Sequence, residues 1–259
     1  MDTMNTEDPN LSNPSNFDST QTLRLFDISE CSGAVRALGK NATSTEVLSD
    51  SLTRTIYGHL TTEPGGEKAC ALVRLFRTVQ FQDLNTELKK RVRTSHAKVT
   101  STSKFLVLLG TSGSDPAWNS RKTSQGHQLI PLLSAEMIAK TPMIARLFSQ
   151  LGIEISSLLD ASSAKIDFAD PADRDYNTFF VSDARGSQFI PSQSEFVIPC
   201  GIRSVVGYGS SLPNGEFYAV VMFFRVLLPE TALKRFSGLA LSTTIALLSS
   251  PEARLFKDP

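Results

Sequence analysis

The sequence predicts an α+β domain: a central antiparallel sheet flanked by helices, with a long loop and short helices covering one face. Phe179-Phe180-Val181, Ile202 to Tyr208 and Glu216 to Val226 are rich in β-branched and aromatic residues, the composition of strands. Leu212-Pro213-Asn214-Gly215 lies between the last two and supplies hairpin turn chemistry. A long amphipathic helix follows at once, from about Pro229 to Leu248, and Pro251 stops it. Antiparallel strands therefore close onto a C-terminal helix.

Upstream, a first helical segment is expected from Thr22 through Leu38, broken at Gly39-Lys40-Asn41. Thr43-x-x-Glu46 reads as a capping box, and Leu48, Leu52, Ile56 and Leu60 share one helix face at i+4 steps. Glu63-Pro64-Gly65-Gly66 ends that helix, and Ala69 to Val79 has strand character, with Arg74 and Arg77 bracketing Leu75-Phe76. A helix from about Asp83 to Arg93 and a strand from Phe105 to Leu109 come next. Gly110 to Pro131 is a long polar loop, and loops of that length inside a domain are either disordered or functional. Ser134 to Lys140 and Pro142 to Leu151 are short helices, the second with Thr141 as N-cap and Pro142 in its first position. Asp167 to Asp175 is an acidic loop.

With 259 residues and 41% hydrophobic content the chain can bury one sizeable core, and one domain is expected over 22–249. Residues 1–21 read as a disordered polar tail and 250–259 as a C-terminal tail. Lys+Arg and Asp+Glu are equal at 26 each, so no global field attracts nucleic acid or an anionic membrane. The densest basic run, Lys89-Lys90-Arg91-Val92-Arg93, lies on a predicted helix and reads as a solvated face. Cys31, Cys70 and Cys200 form no C-x-x-C pair, which argues against a disulfide framework or zinc site and for a reducing, cytoplasmic location. No apolar run approaches the roughly 20 residues of a membrane span.

The densest cluster of specific side chains is W-N-S-R-K-T-S-Q-G-H, Trp118 to His127. Trp118 offers a stacking face, Arg121 a fork for carboxylate or phosphate, and His127 a ring that titrates near neutrality. Equally, Trp118 can plug the core edge while Arg121 and His127 hold the loop in place. Arg185, in Asp183-Ala184-Arg185-Gly186-Ser187, either binds an anion at the mouth of a pocket or pairs with Asp183 in a turn. The predicted ligand-binding set is Trp118, Arg121, His127 and Arg185, meeting a small molecule with an anionic group. Ser124 and His127 are neighbours, but no nucleophile elbow or oxyanion motif supports a triad. His59, His96 and His127 carry no ligand spacing, so no metal and no cofactor is expected.

The run from about Ala69 to Leu248 resembles the GAF-like input region found ahead of histidine-kinase, PAS or phosphatase modules in bacterial signalling proteins. The resemblance is carried by Asp115 to Leu132, Thr141 to Leu147, Asp183 to Pro191 and Glu195 to Gly209, followed by L-P-N-G-E-F-Y-A-V-V-M-F-F. It departs at Cys200, where an aromatic residue is expected. The resemblance implies a GAF/PAS-like fold, a sensing role and a kinase, phosphatase or other output protein as partner. It leaves the signal open. No Cys-His dipeptide for a bilin and no N-K-x-F-D-E constellation for a cyclic nucleotide occurs, and the cysteines are not clustered as in a GAF-fold methionine sulfoxide reductase.

The expected function is accordingly a non-enzymatic, small-molecule-binding sensory domain. The alternatives are a ligand-free interaction or dimerisation module of the same fold and, third, a small hydrolase using Ser124 and His127. A homodimer is expected through the terminal helix, whose Leu233, Phe236, Leu239, Ala240, Leu247 and Leu248 cover a wider arc than one sheet contact requires.

Overall fold

The computed structural model describes residues 25–62, 67–95, 98–124, 126–159, 178–250 and 254–258. The predicted tail at 1–21, the turn at 63–66 and the acidic loop at 167–175 lie outside the described residues. Six strands, β1 (Cys70–Gln80), β2 (Lys104–Gly113), β3 (Leu129–Leu132), β4 (Thr178–Val181), β5 (Ser204–Ser211) and β6 (Phe217–Phe224), form one sheet in the order β3-β2-β1-β6-β5-β4. Every neighbouring pair is antiparallel. This is the central antiparallel sheet the sequence predicts. The β5–β6 hairpin turns where expected, with Gly215 at φ 76° and Leu212 N–H bonded to Glu216 O at 2.6 Å.

Helices α1 (Leu25–Ala37), α2 (Thr45–His59) and α7 (Leu233–Ser249) cover one face of the sheet. Helix α3 (Thr86–Ser95) lies at the same side through Leu88 and Val92. The other face is covered by α4 (Ala135–Ala139), α5 (Pro142–Gln150), α6 (Ile155–Leu159) and the segment from Ala184 to Ile202. That segment contains a π-helical turn at Gln193–Val197 where only a crossover is expected from sequence. Gln193 explains its position: its amide accepts from Gly186 N and donates to Ala184 O and Ile190 O, so one side chain organises the preceding turn.

Helix α2 buries Leu48, Leu52 and Ile56, with Leu60 just beyond it, as the i+4 pattern predicts. Its cap is Ser44, not Thr43: Ser44 Oγ accepts from Val47 N at 3.1 Å. Glu46 is thereby released from the reciprocal bond of a capping box. Strand β2 runs four residues beyond the predicted Leu109, to Gly113, and the end of the predicted loop is strand β3, paired with Lys104 to Val107. Pro131 sits in that strand, at a sheet edge where a missing N–H is tolerated.

The terminal helix holds Ser242, Thr243 and Thr244, all buried. Their polarity has a use: Tyr208 Oη meets Thr243 Oγ1 at 3.1 Å, and Tyr218 Oη meets Thr244 Oγ1 at 2.7 Å while donating to Ala240 O at 3.0 Å. Two buried phenols on the sheet are thus satisfied by the helix that covers them. The wide apolar arc of α7 also has an owner within the chain, because α1 packs along it; Phe236, Leu239 and Ala240 are buried and Leu248 is left exposed. The arc therefore gives no separate reason for self-association.

Helix α2 approaches β2 closely at Gly110, where a Cβ would lie 2.2 Å from the backbone oxygen of Ser49. Neither backbone can yield without moving a packed element. Gly110→Ala should lower stability by at least about 2 kcal/mol, an overpacking cost, in chemical denaturation. Gly33→Ala in α1 has no atom within 4 Å of the new methyl. It should raise stability by about 0.5–1 kcal/mol through helix propensity, and serves as the control.

Candidate functional site

Strand β3 covers β2 only from Lys104 to Val107, so the upper edge of β2 falls to the loop 114–128. Leu108 N–H reaches Gln128 O at 2.9 Å, and Gly113 N–H reaches Asn119 Oδ1 at 3.0 Å. Asp115 begins the loop with an N-cap bond to Ala117 N at 2.8 Å ahead of Pro116. Two buried arginines then pin it. Arg74, on β1, donates to Ser124 Oγ at 2.9 Å and Gly126 O at 3.2 Å, and burial lowers its pKa to about 10. Arg121, within the loop, makes a two-pronged bond to Glu46 at 2.5 and 3.3 Å.

The four predicted ligand residues fall into different settings. Arg121 is buried, paired with Glu46 and stacked 5.1 Å from the Phe256 ring, so its fork is already occupied by the protein. Trp118 is half-buried on the other face of the sheet, where it meets Phe196 edge-on at 5.6 Å; Phe196 in turn meets Phe223 at 5.0 Å. Arg185 is exposed in the turn that Gln193 organises, and its backbone N–H bonds Asp183 Oδ1 at 3.0 Å. Asp183 gives its ion pair to Arg203, at 3.8 Å, instead of to Arg185. The expectation of a single site shared by both arginines is thus corrected: Arg121 is a structural tie to α2, made where the tertiary fold offers it a buried carboxylate.

His127 has a different position. It follows Gly126 (φ 74°), itself stands at φ 53°, and lines a cleft of about 300 Å³ with Arg91, Val92, Ser95, Gly126, Gln128, Leu129 and Pro131. A non-glycine residue in the left-handed region is uncommon, and here it directly follows a left-handed glycine in the loop's last turn. Arg91 bonds Gln128 Oε1 and Glu87 Oε1, which occupies two of its five N–H donors. Removal of water from part of the His127 ring, and the nearby Arg74 cation, hold the imidazole pKa below its ordinary 6.5. The ring is therefore neutral at pH 7. A second shallow cleft of about 350 Å³ lies on the far side of α3, lined by Thr86, Lys89, Lys90, Arg93 and Thr94. The second cleft gathers three cations, whereas the one cation lining the first, Arg91, is ion-paired with Glu87.

Several important side chains escape the sequence reading. Arg74 carries a usable signal, since a guanidinium inside an apolar central strand requires a buried polar partner. Arg91 lies in a run that reads as a solvated face. Glu46 looks like half of a capping box. The third predicted reading, a hydrolase, loses its nucleophile: Ser124 is fully buried and its Oγ accepts from Arg74. Cys31 and Cys70 are buried thiols pushed up to about 12 by desolvation, and Cys200, half-buried, is also raised by burial against the pull of Arg225. His59 is satisfied by Thr55 O at 2.8 Å.

The sheet, its flanking helices and the loop define an α+β domain with a cleft beside α3 that Arg91 and His127 line. No family model matches the sequence, and no curated protein is significantly similar to it. Among solved structures, the chain resembles the free methionine-R-sulfoxide reductase of Neisseria meningitidis, solved in complex with its substrate. That likeness has 12% identity and a TM-score of 0.44, over 86% of this chain and 89% of the reductase. The reductase is an enzyme, so the expectation of a non-enzymatic sensory domain, which leans on what folds of this kind mostly do, does not stand. At that similarity neither the reductase's activity nor its substrate transfers to this chain. Among the described residues no helix is long and apolar enough to cross a membrane.

The pair Glu46–Arg121 is buried on both sides, with side-chain exposures of 11% and 7%. Arg121→Ala leaves the Glu46 carboxylate without its counter-charge and should cost about 3–5 kcal/mol in urea denaturation, as other broken buried pairs do. The doubly changed Glu46→Gln, Arg121→Met chain should recover at least about half of that loss, since no charge is then left unpaired. An Arg121→Ala protein of unaltered stability would show the pair to be a surface-like contact.

Proposed function

We propose that the chain binds a small anionic ligand in the cleft between α3 and the segment 126–131, with Arg91 and His127 as its recognition groups. The observation that supports this reading is the cleft itself. It brings a guanidinium and a titratable ring into one lining with Val92, Leu129 and Pro131, and the ring stands on a left-handed backbone. Strained backbone of this kind persists where the surrounding structure over-determines it, commonly at binding sites. Arg91 keeps three N–H donors beyond its bonds to Gln128 and Glu87 and offers them to a carboxylate or phosphoryl group, and the neighbouring Lys89, Lys90 and Arg93 raise the local anion concentration. Among the residues lining the cleft there is no carboxylate; Glu87 reaches the site only through Arg91.

The pH behaviour has a definite sign. Because the folded His127 pKa lies below 6.5, the unfolded chain takes up a proton first. The unliganded protein therefore keeps this contribution to stability above that pH and loses it as pH falls through and below it. An anion favours the protonated ring, so binding draws in a proton and strengthens on acidification.

Sulfate is a suitable probe because its charge is constant across this range. Calorimetric titration should give saturable binding whose affinity rises as pH falls below about 6.5. Arg91→Ala should weaken it about tenfold, the scale of one charge-assisted hydrogen bond. His127→Ala should remove the pH dependence while leaving Arg91-dependent binding in place. Sulfate binding that is unchanged in Arg91→Ala, or no saturable binding at any pH, would exclude the cleft as the site.

A further inference from the structure

The last described segment of the chain, Arg254–Asp258, lies across the N-terminus of α2. Thr45 N–H bonds Arg254 O at 3.0 Å and Glu46 N–H bonds Leu255 O at 2.9 Å, so two of the orphan donors of the helix are satisfied by this strap. Lys257 N–H then donates to Glu46 Oε2 at 2.9 Å. The same carboxylate accepts the Arg121 fork. Lys122 in the loop reaches Asp258 at 2.7 Å, and the Arg121 guanidinium stacks on the Phe256 ring. One buried carboxylate on α2 thus ties together a loop that runs on to His127 and a strap that follows α7.

The strap is lightly held for its number of contacts. Arg254, Lys257 and Asp258 are exposed, Leu255 is half-buried, and Phe256 alone is buried, at 5% exposure. One aromatic anchor, a half-buried leucine, a pair of backbone bonds, an exposed ion pair and a shared carboxylate describe a segment that can open locally without unfolding the sheet. The loop it touches has its own second anchor, since Arg74 holds Ser124 and Gly126 from beneath. Opening of the strap therefore loosens the loop's first half, up to Ser124, where Arg74 holds it.

We infer that Arg254–Asp258 is a latch that holds the loop segment 114–124 to the N-terminus of α2 through the carboxylate of Glu46. Lifting of the strap takes Phe256 from beneath Arg121, withdraws Lys257 N–H from Glu46 and frees the first half of the loop. Conversely, a change in the loop that pulls Arg121 off Glu46 weakens the seat of the strap. No ligand is needed for this coupling, which holds or fails apart from the anion-binding reading.

Hydrogen exchange on the full chain tests it, with acrylamide quenching of Trp118, the single tryptophan, as a second readout of the loop. In Phe256→Ala the amides of Thr45, Glu46 and residues 120–124 should exchange at least about tenfold faster together, with β1, β6 and α7 unchanged. Trp118 quenching should rise. Glu46→Gln, which keeps the shape of the shared carboxylate, should loosen strap and loop together to a smaller degree. Release of Thr45 and Glu46 amides with the loop still protected, in either variant, would reduce the strap to a tail lying on α2 and overturn the latch. Loss of protection throughout β1, β6 and α7 in Phe256→Ala would also overturn it, by showing that the segment is core and cannot open alone.

Discussion

Strand β2 has ten residues and its outer neighbour β3 has four. That mismatch is the constraint on which this part of the molecule depends, because an uncovered edge leaves backbone donors and acceptors unpaired and open to aggregation. The chain resolves it with a loop instead of a longer strand. Gln128 O and Asn119 Oδ1 take over backbone donors of β2, and the Asp50 carboxylate takes that of Thr111. An irregular segment can do this only if something fixes its shape. Arg74 and Arg121, one from the sheet and one from the loop, supply that rigidity.

The two arginines show why charge is used in an otherwise apolar setting. A guanidinium offers five donors from one side chain and so can bridge irregular backbone that no regular ladder reaches. Burying it is costly unless its partners are polar and close. Arg121 meets a full carboxylate, whereas Arg74 meets a hydroxyl and a carbonyl and has its pKa lowered by burial in consequence. Glu46 is the node, receiving bonds from both Arg121 and Lys257 N. Removing either partner of such a node disturbs more than one segment, which is the physical basis for coupling the loop to the strap.

The loop that protects the sheet edge also builds the cleft. Its final turn must reverse from the level of Ser124 into β3, and Gly126 and His127 accomplish this in left-handed conformations. The turn stands His127 opposite α3, whose Leu88 and Val92 are buried and whose basic residues are consequently turned outward. Cationic character beside α3 is in this sense a by-product of amphipathicity, and the cleft forms because the loop end packs against it. Trp118, at the other end of the loop, is directed to the opposite face by its contact with Phe196.

Much of the fold was legible in the sequence because period-2 and i+4 patterns report which residues face an apolar layer. The hairpin at Leu212–Gly215, the buried face of α2 and the closing helix α7 are local in this way. So was the presence of a long polar loop before Pro131. Its site was not legible in the same manner. Trp118, Arg121, His127 and Arg185 were grouped by chemical type, but their partners lie at sequence distances that no local pattern encodes: Glu46 for Arg121, Phe196 for Trp118, Arg91 for the His127 cleft. Local periodicity determines which side of an element is apolar. Only tertiary packing decides which buried carboxylate an arginine finds, and therefore whether that arginine remains available to a ligand.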